Sequence, residues 1–572
     1  MGNATACAQA VVRELVAQGV REVVLAPGSR SAPMAYALWA ADRDRTLRLH
    51  VRVDERTAGF LALGLARGSA ASVAVVTTSG TAVAHLHPAV LEAWHAHVPL
   101  LVVSADRPRI MVHTGANQTT HQDHLFAGHV RAQAGLSDAR EEPDDWRYEV
   151  ARLVRAATGV RSRLPGPVHL NVELSEPLAP GSPFSAPVKG PSTGSGNGGP
   201  STGAANGGPS RGAGNWGPAP VRSVTVMPSV AGPAVSLAGG PRTVVVAGEL
   251  PPGAGRQVAE LATAAGVPLL AEPSSNARCG STAIATYRVL LGSELADRVE
   301  RVVMFGHPTL SRPVTSLLSR PDVELVVVSA YADWPDPGRS AARVVDGVKL
   351  EGPFGPAWLA EWQHRDAKVS RDLAELLDRQ PILTGPTVAR MVWSSLGPDD
   401  ILFAGASNPV RDLDLAPAAG PTPAVYANRG LSGIDGSIST AAGLALATSQ
   451  PVTALLGDLT TIHDLTGLVI GPDEPRPDLR IVIANDDGGS IFVTLEHGRP
   501  EHAEAYERIF GTPHGVDFAS VARAVGAGYR RAHNVSDLRA ALLEPLHGLE
   551  LVEAVVDRRG RRALSAAIGA LT

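Results

Sequence analysis

The sequence predicts an α/β chain of three domains, each built on a mainly parallel sheet flanked by helices. Three observations carry that prediction. The chain has 572 residues, too many for one hydrophobic core when domains run to about 100–200 residues. Short, almost uninterrupted apolar runs recur along it, the pattern of strands buried on both faces. Helical patterns separate these runs, which is the alternation of βαβ units.

In chain order, the first group of runs is EVVLA (22–26), ASVAVVT (71–77), VPLLVVSA (98–105) and PVHLNVEL (167–174), with a helical pattern over Ala82–His95. A Gly/Ser/Pro-rich stretch, 183–240, follows; it contains GPSTGSGNGGPSTGAANGGPSRGAGNWGPAP. Such small, polar residues bury too little apolar area to offset the entropy of ordering, so the stretch reads as a linker. The second group is TVVVAGEL (243–250), VPLLAEP (267–273), RVVMFG (301–306) and VELVVVSA (323–330). A helical segment over Pro356–Asp378 leads to the third: DILFAG (400–405), VTALLGD (452–458), LRIVIAND (479–486) and LELVEAVVD (549–557). The domains are therefore expected at 1–182, 241–350 and 351–572. Ligands of such sheets collect at the C-terminal ends of the strands, where the Gly-rich and charged loops fall here.

Composition removes several function classes. Apolar residues make up 44%, charged residues 19%, and the net charge is −5, which fits a globular chain with no nucleic-acid partner. No apolar run reaches the roughly 18 residues of a membrane span. The N-terminal residues lack the pattern of a signal peptide. Two cysteines, Cys7 and Cys279, support neither a disulfide framework nor a cysteine metal site. A cytoplasmic location is expected. His85, His87, His95, His97 and His121 crowd in sequence but not at zinc-ligand spacing, and read as packing or surface residues.

The most specific signal lies in the third group. One strand ends at Gly457-Asp458 and the next at Asn485-Asp486-Asp487-Gly488-Gly489, so a βαβ unit sets Asp458 and Asp486 at the same edge of neighbouring strands. Two carboxylates and the carbonyl of Gly488 are hard oxygen donors suited to Mg²⁺, which tends to complete its shell with phosphates. The helix opened by LTTIHDL offers amides to a diphosphate. Taken alone, either aspartate is more often a turn or capping residue.

This pattern resembles the motif of thiamine-diphosphate-dependent enzymes, which begins GDG and ends NN. Here GDG is GDL, and Asp486 stands where the motif has its second Asn. VDERTAGFLALGLAR and TTSGTAVAHLHPAVLEA resemble the motifs of the pyrimidine-binding domain. In this family a carboxylate beside N1′ of the aminopyrimidine activates the cofactor, and a bulky apolar residue keeps it bent. The resemblance gives these roles to Glu55 and Ile434. It further implies cofactor contacts at Ser79, Gly80, Ser432, Gly433, Gly457, Leu459, Thr460, Gly489, Ile491 and Phe492, and metal ligation (Mg²⁺ or Mn²⁺) by Asp458, Asp486 and Gly488. It makes 1–182 the pyrimidine-binding domain and 351–572 the diphosphate-binding domain. Because the family builds each site from two subunits, a homodimer or homotetramer is implied.

Arginine-bearing loops narrow the resemblance. APGSRS, SADRP, GANQTT, HPTLSRP, SNPVRDLD and NRGLSGIDGSIST place Ser29, Arg30, Arg107, Asn117, Gln118, Arg312, Ser407, Arg411 and Arg429 at expected strand ends. Guanidinium groups bind carboxylates by paired hydrogen bonds, so the set suits substrates carrying several carboxylates. Together these segments are similar to the 2-succinyl-5-enolpyruvyl-6-hydroxy-3-cyclohexene-1-carboxylate synthases of menaquinone biosynthesis. That family decarboxylates 2-oxoglutarate and adds the resulting succinyl-semialdehyde carbanion to isochorismate in a Stetter-like 1,4-addition. Arg30 and Gln118 are implied to act on substrate beside Glu55 and Ile434. Ser311 stands where the family often has lysine. Another thiamine enzyme, of acetolactate synthase or 2-oxo acid decarboxylase type, is the alternative, and a non-catalytic protein of the same fold is a further one.

Overall fold

In the computed structural model, the described residues are 3–180, 227–418, 420 and 422–571. Three large sheets, all parallel, account for the three groups of apolar runs. The first comprises β1 (Glu22–Leu25), β2 (Arg48–Val51), β3 (Val73–Thr77), β4 (Leu100–Asp106), β5 (Gln133–Ser137) and β6 (Val168–Glu173), in the order β2-β1-β3-β4-β6-β5. After β7 (Val235–Ala238) comes the second, of β8 (Thr243–Ala247), β9 (Leu269–Ala271), β10 (Arg301–Phe305), β11 (Glu324–Val328) and β12 (Ala341–Val345). Its order is β12-β11-β10-β8-β9. Following β13 (Val348–Glu351), the third contains β14 (Ile401–Ala404), β15 (Ala424–Tyr426), β16 (Val452–Gly457), β17 (Leu479–Asn485), β18 (Gly528–Ala532) and β19 (Leu549–Val555). Its order, β15-β14-β16-β17-β19-β18, repeats the first sheet strand for strand. In both, the direction of winding reverses beside the first strand, between β1 and β3 and between β14 and β16. Crevices at such reversals receive ligands.

The stretch read as linker, 183–240, lies outside the described residues as far as 226. Its last part corrects that reading: β7 pairs in parallel with β13, Leu237 opposite Leu350. Leu237 is 2% exposed, and with Val235 it packs against the central core, which recruits the segment into a two-stranded sheet.

The helix expected over Pro356–Asp378 has those bounds. Its Trp358 and Trp362 meet edge to face at 5.8 Å and pack against the second sheet. The pattern over Ala82–His95 divides into Thr81–Ala84 and His87–His95, because Pro88 fits the first turn of a new helix better than the middle of one.

One hydrophobic core is shared by the first and third sheets. Its seam is the crossing of helix Glu55–Ser69 with helix Ser437–Thr448. A Cβ on Gly64 would fall 2.1 Å from the Thr440 carbonyl oxygen, and one on Gly443 would fall 2.4 Å from that of Leu61. Glycine on both helices lets the backbones touch and fixes the Glu55 helix against the third sheet.

Candidate active site

In the third sheet, Asp458 follows β16 and Asp486 follows β17, and β16 and β17 pair in register from Val452 opposite Leu479 to Gly457 opposite Ala484. The expected placement of both carboxylates at one edge holds. Asp458 is buried; its Oδ2 accepts the Gly488 amide at 2.8 Å and its Oδ1 the Leu459 amide at 2.6 Å. Burial raises its carboxyl above the usual range despite those amides. Asp486 is pushed up to about 7, by burial first and by the Asp458 charge second. Its Oδ1 is buried without a hydrogen-bond partner. A buried carboxylate close to a half-buried one with an orphaned oxygen fits a divalent cation. Among the described residues no cluster of three or more His, Cys, Asp or Glu side chains can hold a metal.

The loop carrying Asp486 is tightly held. Asp487 (φ 56°) accepts the amides of His514 and Gly515 at 3.1 and 2.9 Å. The Gly489 amide donates to the Gly511 carbonyl at 2.7 Å. Gly488 has φ 144°, and a Cβ there would fall 1.9 Å from the Gly511 oxygen, so no other residue fits. Arg558 donates to the Asp487 carbonyl at 2.5 Å. His514 was not among the residues expected at the site. Its Nδ1 accepts the Val516 amide at 3.0 Å, so the proton is assigned to Nε2, which lies 3.3 Å from Asp458 Oδ2. Only the PHG turn that follows Gly511 hinted at a residue held in place there.

Ser407 (φ 72°) and Arg411 stand beyond β14, at the reversal next to β16. Arg411 donates to the Ser407 carbonyl at 2.7 Å, and Asn408 to Ser490 Oγ at 2.7 Å, tying this turn to the Asp486 loop. Burial and the nearby Arg429 lower the affinity of Arg411 for its proton. Arg429 is 2% exposed and donates to Thr309 Oγ1 at 2.6 Å, while its Nη1 has no partner. It is thus anchored to the central domain. Arg312 is separate from these: its side chain is 80% exposed, with a loose 3.8 Å ion pair to Glu496. Ser432 (φ 61°) and Ile434 lie half-buried in the turn before helix Ser437–Thr448, and Leu431 is 52% exposed.

The first sheet gathers a second group at the C-terminal ends of β1, β3 and β4. Arg30 is buried, donates to the Leu174 carbonyl at 2.7 Å, and has its Nε unpaired. Burial, then Arg107 close by, lowers its affinity for the proton. Arg107 grips Asn117 with two hydrogen bonds of 2.7 Å, to the carbonyl and the side-chain oxygen. Gln118 (φ 53°) packs over Gly80, where a Cβ would be 3.3 Å from the Gln118 Cα. Ser79 Oγ is buried and unpartnered, and Ser29 is exposed.

Glu55 opens its helix behind the capping Asp54, whose side chain accepts the Arg56 amide at 2.9 Å. Arg56 donates to the His463 carbonyl at 2.8 Å and Thr466 to Asp54 at 2.7 Å. Within one chain, the residues on either side of Glu55 therefore meet the far end of the helix that Asp458 opens. Six residues at 1.5 Å each put roughly 9 Å of helix between the two ends. The five histidines are packing or surface residues, as expected: His85, His95 and His121 are exposed, while His87 and His97 are half-buried, His87 meeting Phe126 edge to face at 5.5 Å.

Paired carboxylates behind a Gly turn, under a repeated parallel-sheet topology, suit a thiamine-diphosphate-dependent enzyme, and comparison with known proteins places the chain in that class. Residues 5–126 match the family model described as the thiamine pyrophosphate enzyme N-terminal TPP binding domain. Benzoylformate decarboxylase from Polynucleobacter necessarius has a similar fold, with a TM-score of 0.64 at 15% identity over 96% of this chain and 98% of that one. Among curated proteins, the 2-succinyl-5-enolpyruvyl-6-hydroxy-3-cyclohexene-1-carboxylate synthase of Nocardioides sp. is 46% identical over 100% of this chain and 98% of its own length. The proteins of the same name from Kineococcus radiotolerans and Rhodococcus erythropolis are 47% and 43% identical, covering 98% and 100% of this chain and 97% and 100% of their own lengths. The chain belongs to the 2-succinyl-5-enolpyruvyl-6-hydroxy-3-cyclohexene-1-carboxylate synthase family.

Proposed function

We propose that the chain decarboxylates 2-oxoglutarate and joins the four-carbon remainder to isochorismate by conjugate addition, with Mg²⁺ or Mn²⁺ and thiamine diphosphate. The observation that carries the reading is the close Asp458–Asp486 pair, set beside Ser407 and Arg411 at the strand reversal of a chain 46% identical to a synthase of that name. When bound, the cofactor supplies an electron sink for loss of CO₂. Asp458, Asp486 and the Gly488 carbonyl would hold the metal, and Ile434 would pack against the cofactor. Glu55 holds a proton at N1′ of the aminopyrimidine. Arg30, Arg107, Asn117, Gln118, Ser407, Arg411, Arg429 and Arg312 receive the substrate carboxylates and hydroxyls. Arg30 and Arg411 are already desolvated, so each gains from a carboxylate that replaces lost water.

Glu55 and Asp458 stand at opposite ends of one helix in a single chain, which supports a site shared between two copies in a homodimer or homotetramer. No helix among the described residues is long and apolar enough to cross a membrane, in keeping with a cytoplasmic enzyme. The test is to mix protein, thiamine diphosphate, Mg²⁺, 2-oxoglutarate and isochorismate, following isochorismate absorbance and product mass. Loss of isochorismate with a product of the summed mass less CO₂ is expected. CO₂ release with isochorismate untouched would instead make the chain a simple 2-oxo acid decarboxylase.

A further inference from the structure

Glu92 belongs to none of the groups above, yet it is 3% exposed on helix His87–His95 of the first domain. Its carboxylate accepts the Gly430 amide at 2.7 Å and the Leu431 amide at 2.8 Å, from the third domain. Among the described residues no cation pairs with it directly. The nearby Arg67 is engaged by Glu249 of the central domain and by the Ala427 carbonyl, at 2.6 Å. Burial, and the Glu249 charge next, hold the Glu92 carboxyl up at about 7. Burying such a group is costly unless both oxygens are satisfied, and here the loop amides satisfy them.

The contact is tight from the loop side as well. A Cβ on Gly430 would fall 2.8 Å from the Glu92 carbonyl oxygen and 3.0 Å from its carboxyl. The preceding residue, Arg429, is fixed to Thr309, whose amide and that of Leu310 are held by the buried Glu272. The loop is therefore bracketed by the first domain at 427, 430 and 431 and by the central domain at 429. Immediately beyond the bracket the turn opens, with Leu431 52% exposed and Ile434 half-buried.

We infer that Glu92 is a positioning residue, whose two-oxygen bracket on Gly430 and Leu431 sets where Arg429 and Ile434 stand against cofactor and substrate. The inference rests on the reading of Ile434 as the residue that bends the cofactor. An amide in place of the carboxylate keeps one acceptor and turns an N–H₂ toward the other loop amide, which shifts the turn. A displacement of about 1 Å in a positioning element costs on the order of 100-fold in rate.

The test compares Glu92→Gln, Gly430→Ala and Ile434→Ala, each loaded with thiamine diphosphate and Mg²⁺. kcat is expressed per bound cofactor, and KM for both substrates and the unfolding temperature are measured alongside. Glu92→Gln is expected to lower kcat per loaded site by about 10- to 100-fold, with the unfolding temperature nearly unchanged. Gly430→Ala, which presses on the same contact while leaving the charge, is expected to do the same and serves if Glu92→Gln fails to fold. Wild-type kcat per loaded site in both variants, with only unfolding temperature or loading reduced, overturns the inference and leaves Glu92 a structural bracket. If Ile434→Ala is also fully active, the reading of Ile434 falls first and the inference with it. A damaged Ile434→Ala beside intact Glu92→Gln and Gly430→Ala sinks the inference alone.

Discussion

Asp458 is buried and Asp486 half-buried at the C-terminal edge of the third sheet, beside a loop held by amides, Arg558 and a glycine that no other residue can replace. Glu55, at the other end of the proposed site, is half-buried on the first turn of a helix, and its side chain has no hydrogen-bond partner among the described residues. The proposed metal end is organised within a single chain, at the cost of two carboxylates crowded together. The activating end presents an open carboxylate on a rigid stalk, the helix seated on Gly64 and Gly443. A binding end gains from being rigid before its ligand arrives. A proton-handling end needs its carboxylate free to meet the ring it serves.

The sharpest way to break this contrast is Glu55→Gln. General acid–base catalysis contributes about 100- to 10,000-fold, so carboligation should fall by that much while thiamine diphosphate still binds within a few-fold of wild type, as read by fluorescence titration. Full activity in that variant removes Glu55 from the mechanism. Asp458→Ala should do the reverse and fail at binding. Cofactor and Mg²⁺ at 100 times Kd stabilise a folded protein by about 2.7 kcal/mol, and the matching thermal shift should vanish in the variant. A shift of wild-type size would mean the cation sits elsewhere.

Arg411→Ala tests the substrate side of the metal end. Losing a charge-assisted hydrogen bond costs about 1.5–3 kcal/mol, so KM for at least one substrate should rise roughly 10- to 100-fold; unchanged kinetics with both would take Arg411 out of the site. The stalk is tested by Gly64→Ala. Overpacking costs about 1–3 kcal/mol, partly offset by up to about 1 kcal/mol of helix propensity, so a modest fall in unfolding temperature is expected, and no fall would show that the seam can give. The smallest effect concerns pH. Glu272, buried, has its carboxyl raised to about 7. A carboxyl raised on folding contributes stability that is present below its unfolded range, near 4.5, and is lost as pH rises through about 7. Between pH 5 and 8 the wild type should therefore lose more stability than Glu272→Gln, read as the difference in unfolding temperature; parallel curves would refute this.

The central strands were legible because both their faces are buried, which leaves a continuous apolar run: VTALLGD and LRIVIAND became β16 and β17 almost to the residue. The strands that escaped notice are mostly at or next to sheet edges. β18 reads GYRRA and β12 reads AARVV, and their exposed faces carry arginines that erase the apolar pattern. The split at Pro88 turns on one residue that fits only the first turn of a helix, and the recruitment of β7 on the packing of Leu237 and Val235 against the central core. Asp458 and Asp486 could be found in the sequence because each lies at the end of its own strand, next to glycines, so local pattern and chain order sufficed to pair them.

His514 and Glu92 carry no such local mark. Each acquires its role through a contact with a distant segment: His514 with Asp458, and Glu92 with amides 338 and 339 residues further on. The sequence by itself determined the three parallel sheets, the family and the carboxylates at their strand ends, because burial and strand termination leave a signature within a few residues. Only the tertiary structure decided which arginines are buried, which amides hold the Ile434 turn and which face of Glu55 is open. Those depend on how closely separate segments pack, and close packing between segments distant in the chain leaves no local periodicity to read.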